Sequence, residues 1–243
     1  MKQTLLINGF SVEAQYDEAA VEAIFQPLLR RLAALHRQSG KRVIALIAAP
    51  PATGKSTLAA FLQRLSENMN GIPRVQAVGM DGFHYPQRYI ACHTAQRDGK
   101  TVPMQQVKGA PESFDVLKLQ KALEDLRAGD VMWPVYDRRL HDVVEDAVLV
   151  SAPIVLLEGN YLLLDAPVWR DLRGDYVVFI EAEEAQLRER LLQRKMRGGA
   201  TREQALSHYE SCDGPNVLLC LAARRACDLT LKMTGDGAYT VKT

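Results

Sequence analysis

The segment 49–57 carries the residues best suited to chemistry, because it reads Ala-Pro-Pro-Ala-Thr-Gly-Lys-Ser-Thr. It follows an apolar run and precedes a helix-like pattern, which is the context that a phosphate-binding loop requires. In such a loop, backbone N–H groups surround phosphate oxygens at a helix N-terminus, whose dipole favours anions. Lys55 would reach the β- and γ-phosphates, and the Ser56 hydroxyl would bind Mg²⁺. We therefore predict a nucleotide site at Ala52, Thr53, Gly54, Lys55, Ser56 and Thr57.

Two alanines distinguish this loop from the usual glycine-rich pattern. Ala49 stands where the motif has its first glycine, and Ala52 occupies another position that is often glycine. An alanine held at positive φ costs on the order of 1 kcal/mol, so the loop either tolerates that strain or keeps to allowed φ values. Pro50 and Pro51 fix their own φ and pre-set the turn. The alternative interpretation is a proline-rich turn with a coincidental Gly-Lys-Ser sequence.

Two carboxylates follow apolar runs that have the composition of buried parallel strands. Asp81 follows the run 75–80, and Glu158 follows the run 154–157. Open α/β sheets bind ligands at the carboxyl ends of their strands, so both side chains are expected near the loop. Carboxylate oxygens suit Mg²⁺ and can also orient a substrate hydroxyl. Both are also ordinary turn residues, and the sequence does not decide which one would bind the metal.

Strand-like runs alternate with helix-like periodicity through most of the chain. Residues 43–48, 75–80, 154–157, 176–180 and 229–233 form compact, mostly apolar runs. Such runs are typical of strands that are buried on both faces of a parallel sheet. The alternation predicts an α/β fold with a doubly wound, mainly parallel sheet of about five strands.

We expect the chain to form one domain over residues 1–243. Its predicted parts are an N-terminal hairpin and helix (1–41, with a break or kink at Pro27), a core (42–235), two insertions over the site (near 84–113 and 130–150) and a lid (near 186–202). The hairpin is expected to turn at Asn8 and Gly9 and to pack at the edge of the domain.

Four short motifs, taken together, resemble those of one enzyme family. They are Met-Asp-Gly-Phe-His at 80–84, Lys-Gly-Ala-Pro-Glu-Ser-Phe-Asp at 108–115, Pro-Val-Tyr-Asp at 134–137 and Leu-Glu-Gly-Asn-Tyr at 157–161. With the loop, they are similar to the P-loop kinases of the bacterial type I pantothenate kinase, uridine kinase and phosphoribulokinase family. The whole chain resembles most a less characterised neighbouring branch, often labelled nucleoside kinase-like or fructose-transport-system kinase.

This resemblance implies a P-loop NTPase fold and a small-molecule kinase that transfers the γ-phosphate of ATP, with Mg²⁺, to a hydroxyl group. Asp81 would accept or orient the hydroxyl proton, while Glu158 and Ser56 would hold Mg²⁺. Lys55 would bind the phosphates. Because the position of each carboxylate is consistent with either role, Asp81 and Glu158 could also exchange them.

The basic helix near 186–202 resembles a lid that closes over ATP. Arg190 and Arg194 are four residues apart and share one helical face, so we select them as the arginines that act on the transferred phosphoryl group. Other arginines of this helix are equally consistent with a solvated surface.

The acceptor is expected to contact the two insertions and an Asp-Gly-Pro-Asn element that resembles one near the acceptor in relatives. The candidate residues are His84, Lys108, Tyr136, Arg138, His141 and Asn216. Amide and imidazole groups pair with hydroxyls, whereas Lys108 and Arg138 would suit a carboxylate or phosphate. Gly109 stands where uridine kinases carry an aspartate for ribose, which disfavours uridine. A sugar or sugar-like acceptor is the leading expectation, with a nucleoside or pantothenate as the alternative.

Composition excludes some partners and indicates a compartment. With 30 Lys and Arg against 29 Asp and Glu, the net charge of +1 gives no reason to expect nucleic acid or a membrane surface. The longest apolar run breaks at Pro50, short of the ~20 residues of a membrane helix. Scattered cysteines and the absence of a signal-peptide pattern predict a cytoplasmic protein. Members of the family often form dimers or tetramers, so a homodimer is a candidate assembly.

Two other functions are compatible with a phosphate-binding loop. A regulatory ATPase that acts through a protein partner would hydrolyse ATP without an acceptor, but it gives no reason for the motifs at 80–84 and 108–115. A non-catalytic nucleotide-binding protein would follow if Ala49 and Ala52 had spoiled the loop.

Overall fold

The computed structural model describes residues 1–7, 9–97, 99–235 and 237–242. Its strands are β1 (Lys2–Ile7), β2 (Phe10–Gln15), β3 (Val43–Ala48), β4 (Val75–Gly79), β5 (Thr94–Arg97), β6 (Lys100–Pro103), β7 (Val131–Asp137), β8 (Asp142–Val150), β9 (Ile154–Gly159), β10 (Tyr176–Glu181), β11 (Leu229–Met233) and β12 (Tyr239–Val241). Its α-helices are α1 (Glu18–Ala20), α2 (Gln26–Ser39), α3 (Lys55–Ser66), α4 (Gln87–Cys92), α5 (Val116–Ala128), α6 (Glu184–Arg197), α7 (Arg202–His208) and α8 (Gly214–Ala222). Shorter 3₁₀ turns include Met80–Phe83, and π-helical turns lie at Val21–Phe25 and Tyr209–Asp213.

A six-stranded sheet forms the centre of the fold, in the order β12-β11-β10-β3-β9-β4. Five of its strands run parallel, and β12 pairs antiparallel with β11 at one edge. Every residue of β3 and β9 is buried, as expected for central strands that helices cover on both faces. The five predicted strands and the mainly parallel sheet are confirmed. The edge strand β12 was not predicted, because three residues carry too short a pattern.

Helices cover both faces of the sheet. Successive residues of β3 point to opposite faces, so Ala45 joins the apolar cluster of α2 and α3, whereas Ile44 joins the cluster of α5. Trp133 and Trp169 are buried in the second cluster, as expected for core residues. This three-layered packing of helices, sheet and helices is the doubly wound arrangement that the alternating pattern predicted.

The N-terminal segment forms a hairpin and a long helical run beside α3. β1 and β2 pair antiparallel as predicted, although Asn8 at the predicted turn lies outside the described residues. The α-helical run is interrupted next to Pro27, as predicted: a π-helical turn occupies Val21–Phe25, and Pro27 lies in the first turn of α2, which follows it. Because proline has no N–H to donate, it is tolerated in the first turn of a helix.

Both predicted insertions fold into small units that contact each other. Residues 84–113 contain α4 and the β5–β6 hairpin, and residues 130–150 form the β7–β8 hairpin. The backbone N–H of Gln87 donates to the Asp142 carboxylate over 2.8 Å, which joins α4 to the start of β8. The predicted lid comprises most of α6, the glycines that follow it and the first residue of α7. Among the described helices, none combines the length and the apolar character needed to cross a bilayer.

The turn after β4 packs directly against β7. A Cβ atom at Gly82 would lie 2.1 Å from the carbonyl oxygen of Pro134 and 2.8 Å from the backbone nitrogen of Val135. Both are main-chain atoms of a strand and cannot rotate away. Glycine is required here for close approach, and that approach fixes the position of the neighbouring Asp81.

We expect Gly82→Ala to lower the free energy of unfolding by about 1–3 kcal/mol, because β7 must shift to admit the methyl group. Gly129→Ala is the matched control: its φ of −171° is extended backbone, and no atom lies within 4 Å of an added Cβ. The control should change stability by about 0.5 kcal/mol or less. Denaturant unfolding followed by circular dichroism measures both variants, and equal stabilities would contradict the close approach.

Candidate functional site

The loop between β3 and α3 has the backbone of a phosphate cradle. Ala52 has φ of +67° and Gly54 has φ of +87°, whereas Ala49 stays outside the left-handed region. The Thr53 hydroxyl donates to the Pro50 carbonyl over 3.0 Å and closes the loop from inside. The loop therefore tolerates one strained alanine, at a cost of about 1 kcal/mol. Such strain at a turn that serves a ligand is a common feature of functional sites.

The edge strand β12 supports the loop from one side. The Tyr239 hydroxyl donates to the Thr53 carbonyl over 2.7 Å, and a Cβ at Gly54 would lie 2.9 Å from the same hydroxyl oxygen. Burial raises the pKa of Tyr239 to about 12, so the phenol stays a donor at neutral pH. No local pattern in the sequence indicated a role for Tyr239, because the contact spans 186 residues of chain.

Helix α3 begins at Lys55 and points its N-terminus into the loop. No side chain caps this terminus within the described residues, so its first N–H groups remain available. The helix has 12 residues, and its aligned peptide dipoles favour an anion at this end. The combination of the cradle and the uncapped helix suits a phosphate group.

A buried hydrogen bond connects the loop to the neighbouring strand β9. The Ser56 hydroxyl donates to Glu158 Oε1 over 2.8 Å, and Glu158 is 9% exposed. Burial raises the pKa of Glu158, and the charge of Asp81 adds to this, whereas Lys55, the Ser56 hydrogen bond and Arg138 oppose it. An anionic oxygen and a hydroxyl in contact beside the loop form the donor set that Mg²⁺ prefers.

Glycines bring Asp81 close to this pair. Asp81 lies in the 3₁₀ turn Met80–Phe83 directly after β4, and β4 is paired with β9. A Cβ at Gly79 would lie 3.2 Å from Glu158 Oε1, and one at Gly159 would lie 2.2 Å from the Met80 sulfur. The two carboxylates can occupy adjacent strand ends because Gly79 and Gly159 have no side chains that would collide with Glu158 or Met80. Within the described residues, no cationic side chain lies within 4 Å of either carboxylate.

One cleft of about 660 Å³ contains the loop and Asp81. This volume is in the ~300–1,000 Å³ range of small-molecule sites. Its cationic lining residues are Lys55, Arg138, Arg190, Arg194 and Arg197, against the carboxylates of Asp81, Glu189 and Asp213. Across the described chain these five cations form no ion pair. The cleft is thus locally positive and can accommodate a polyanion, although the whole chain is almost neutral.

Three of the predicted acceptor residues line the cleft, namely His84, Arg138 and Asn216. His84 Nδ1 lies 2.9 Å from the Asp81 carbonyl oxygen, and burial lowers the pKa of the ring. Because a carbonyl can only accept, Nδ1 carries the proton and Nε2 of the neutral ring is left as an acceptor. Asn216 is 3% exposed, and its Oδ1 accepts from Arg97 over 3.4 Å.

The other three predicted acceptor residues are not among the lining residues. The Lys108 ammonium donates to Gln87 Oε1 over 2.7 Å and lies 5.2 Å from the centre of the Tyr136 ring. The Tyr136 ring is in turn 5.4 Å from the His84 ring, so it backs the wall of the cleft. His141 is exposed near the tip of the β7–β8 hairpin, with φ of +53°. The Lys108 ammonium also donates to the backbone carbonyl of His141 over 3.3 Å, so Lys108 joins the two insertions rather than lining the cavity.

The two selected arginines of α6 line the cleft, but their surroundings differ. Arg190 Nη1 lies 3.4 Å from the Met233 sulfur, which places it beside β11. Desolvation lowers the pKa of Arg194, and the carboxylates of Asp213 and Asp81 oppose this effect. Of the two arginines, Arg194 is therefore the one that interacts electrostatically with Asp81 and Asp213.

Several residues that line the cleft were not among the predicted site residues. Asn160 follows Glu158 and Gly159, and within the described chain its buried Oδ1 has no hydrogen-bond partner. Its position two residues after Glu158, at the end of a predicted strand, could have indicated that it lies at the site. The hairpin residues Ile7, Phe10 and Val12 also line the cleft, which no local pattern indicated.

A second group of potential ligands lies at the end of α7. Ligand atoms of His208, Cys212 and Asp213 lie within 4.8 Å of one another. Burial raises the pKa of the Cys212 thiol, which keeps it protonated at neutral pH and makes it a weak metal ligand. The Ser56 and Glu158 pair is the better candidate for a hard cation.

Comparison with known proteins connects this geometry to a family. No family model matches the chain. It is 42% identical over 242 residues to the Escherichia coli K12 protein named uncharacterized protein YggC, with 98% of each chain covered. A solved structure of a proposed fructose transport system kinase from Silicibacter sp. TM1040 superposes with a TM-score of 0.69 at 31% identity, covering 82% of this chain and 98% of the other.

The chain is also similar to pantothenate kinases. It is 36% identical over 155 residues to the enzyme of Rhodopseudomonas palustris BisA53, a match that covers 59% of this chain and 46% of that enzyme. The chain thus spans about half the length of the pantothenate kinases that it matches. Kinases of this type act on small molecules and use ATP with Mg²⁺. The resemblance seen in the motifs is confirmed, and the chain belongs to the P-loop small-molecule kinases of the pantothenate kinase and uridine kinase family.

Proposed function

We propose that this chain transfers the γ-phosphoryl group of ATP to a hydroxyl group of a sugar or a sugar-like metabolite. The observation that carries the proposal is that one cleft is lined by Asp81, by the phosphate loop and by Asn160, whose Oδ1 has no hydrogen-bond partner in the described chain. Phosphoryl transfer needs positioning, charge neutralisation and one group that orients the nucleophile. Each of these can be assigned to residues of this cleft.

The loop N–H groups and Lys55 bind the phosphates in this proposal. The uncapped start of α3 supports this, because its N–H groups have no competing partner in the described chain. Arg194 would neutralise charge on the transferred group, because it is close enough to Asp81 and Arg138 to interact electrostatically with both. Guanidinium groups without a carboxylate partner bind phosphate oxygens at low cost, because no internal ion pair must first break.

Ser56 and Glu158 would hold the Mg²⁺ ion. Their contact at 2.8 Å and the burial of Glu158 support this assignment over the exchange of roles with Asp81. When bound, Mg²⁺ supplies a positive charge that offsets the negative charge on the transferring phosphoryl oxygens. Glu158 also orients the Ser56 hydroxyl, whose proton points to the carboxylate and whose lone pairs are left for a cation.

Asp81 would orient the acceptor hydroxyl and take its proton. Asp81 lines the cleft, whereas Glu158 is buried and accepts a hydrogen bond from the Ser56 hydroxyl. With no cation within 4 Å in the described chain, Asp81 is free to accept a hydrogen bond from a substrate.

Three groups near the reacting end of the cleft can accept hydrogen bonds from an acceptor molecule. They are the Asp81 carboxylate, Nε2 of neutral His84 and the unpaired Oδ1 of Asn160. A cluster of acceptors favours a ligand that is rich in donors, and a polyhydroxy compound has one donor on each hydroxyl. The name of the Silicibacter relative, a proposed fructose transport system kinase, is consistent with this class.

The proposal can be tested with a panel of candidate acceptors that contains ketoses, aldoses, polyols, nucleosides and pantothenate. The purified chain with Mg²⁺ and ATP should release ADP when a ketose, aldose or polyol is added, and Asp81→Asn should lower kcat by about 10²- to 10⁴-fold because the proton acceptor is lost. The control Asp125→Asn changes an exposed carboxylate on α5 and should leave kcat unchanged. If ADP is released only with pantothenate or only with nucleosides, that compound and not a sugar is the acceptor. ADP release that needs no acceptor would indicate a regulatory ATPase.

Glu158→Gln should raise the Mg²⁺ concentration for half-maximal rate roughly 10–100-fold. The amide can still accept from Ser56, but it lacks the charge that attracts a divalent cation. Titration of the rate with MgCl₂ at fixed ATP measures the effect, with Glu189→Gln on α6 as a control that lines the same cleft. An unchanged Mg²⁺ requirement together with a lower kcat would instead identify Glu158 as the base.

Asn160→Ala should raise KM for the acceptor about two- to tenfold and leave KM for ATP unchanged, because one hydrogen bond to the acceptor is lost. Initial rates at varied acceptor and at varied ATP separate the two constants. Asn70→Ala, at an exposed position, is the control. An equal rise in both KM values would mean that Asn160 supports the loop and not the acceptor.

A further inference from the structure

The N-terminal hairpin has an apolar face that extends past the core to the cleft. Leu5 pairs with Val12 and Ile7 pairs with Phe10, so these four side chains share one face of the hairpin. Leu5 is buried, whereas Phe10, near the tip, is 54% exposed. Ile7, Val12 and Phe10 line the same cleft as the phosphate loop. An apolar face that is half covered by its own chain is available to cover an apolar ligand group.

The hairpin joins the loop on the side opposite to Asp81. Tyr16, which follows β2, stacks on Tyr239 of β12 with ring centres 5.9 Å apart, and Tyr239 holds the Thr53 carbonyl. In the sheet, β10, β11 and β12 lie on one side of β3, while β9 and β4 lie on the other. Glu158 and Asp81 end the strands β9 and β4, so the hairpin and the reacting end lie on opposite sides of the loop.

Polar groups of α6 line the cleft together with the hairpin. Arg190 and Gln193 line the cavity, and Arg190 Nη1 contacts the Met233 sulfur of β11 over 3.4 Å. This end of the cleft is therefore bounded by aliphatic and aromatic side chains from the hairpin and by a guanidinium and an amide from α6. Apolar side chains with a few polar groups are the usual lining of a site for a heterocycle.

We propose that the β1–β2 hairpin forms the binding wall for the nucleobase of the phosphate donor, with Phe10 stacking on the base. This inference rests on the proposed function, which requires ATP in the loop. If the γ-phosphoryl group lies at Asp81, the rest of the nucleotide must leave the loop toward β12, where the hairpin face is. The flat π-face of Phe10 matches a base, and aromatic stacking accepts any base without a specific hydrogen bond.

The test compares a donor that has a base with one that has none. We would titrate the chain of residues 1–243 with Mg²⁺-ATP and with Mg²⁺-tripolyphosphate, which carries the phosphates for the loop but no base. Phe10→Ala should weaken ATP binding about five- to tenfold and leave tripolyphosphate binding unchanged. Phe10→Trp should retain ATP binding. Leu6→Ala is the matched control, because Leu6 is 78% exposed on the opposite face of the same hairpin, and it should change neither constant.

The outcomes separate this inference from the proposed function. Wild-type ATP affinity in Phe10→Ala, or an equal loss of ATP and tripolyphosphate binding, would overturn the base wall while leaving the kinase assignment intact. A loss in Leu6→Ala as large as that in Phe10→Ala would also overturn it, because the effect would then come from the hairpin fold. Failure of the unmodified chain to bind either ligand would contradict the proposed function and the base wall together.

Discussion

The hydrogen bond from Ser56 to Glu158 is the contact on which the rest of the site depends. It joins the first turn of α3 to the end of β9, and it does so at a carboxylate that is 9% exposed. A hydrogen bond to a charged group contributes about 1.5–3 kcal/mol, but leaving the same carboxylate buried without it would cost at least as much. The neighbouring backbone must therefore leave room for the pair, which explains the tight approach at Gly79, while Gly159 leaves room for the Met80 side chain next to Asp81. The same glycines let the turn that carries Asp81 lie against β9. The Ser56–Glu158 hydrogen bond and this close packing together set the distances between both carboxylates and the loop.

The strand order then divides the cleft into two ends. β3 lies between β10 and β9, so the loop that follows it faces the carboxyl ends of strands on both sides. Ligands of open α/β sheets bind at such a point of reversal. Segments outside the parallel sheet complete each end: the insertions and the start of α8 surround Asp81, and the N-terminal hairpin with β12 borders the opposite side. The parallel core positions the loop, Asp81 and Glu158, whereas the peripheral segments form the rest of the cleft wall.

Local patterns predicted the parts of the site that a short stretch of chain determines. The loop, Asp81 and Glu158 follow apolar strands directly, so the strand composition and the polar residue after it located them. The supports from distant chain were not predictable, because Tyr239 reaches the loop across 186 residues and its strand has three residues. Lys108 carried plausible chemistry but bonds to Gln87 and to the His141 carbonyl instead, since the packing of one insertion on the other decides where a long side chain points. An interruption of the first helix was predictable from Pro27, which cannot donate a backbone hydrogen bond, but its form as a π-helical turn was not.

Electrostatics explains why a nearly neutral chain can bind a polyanion. The net charge of +1 gives almost no long-range attraction, so the binding energy must come from groups within a few ångströms of the ligand. The cations of the cleft have no carboxylate partner within 4 Å in the described chain, and most of their side chains are solvated. Solvated arginines cost little in the empty protein, and their attraction for phosphate oxygens grows when a ligand displaces water and lowers the local dielectric. A site of this kind is weak toward single ions and strong toward a molecule that fills the whole cleft, which is the selectivity that a nucleotide-dependent reaction requires.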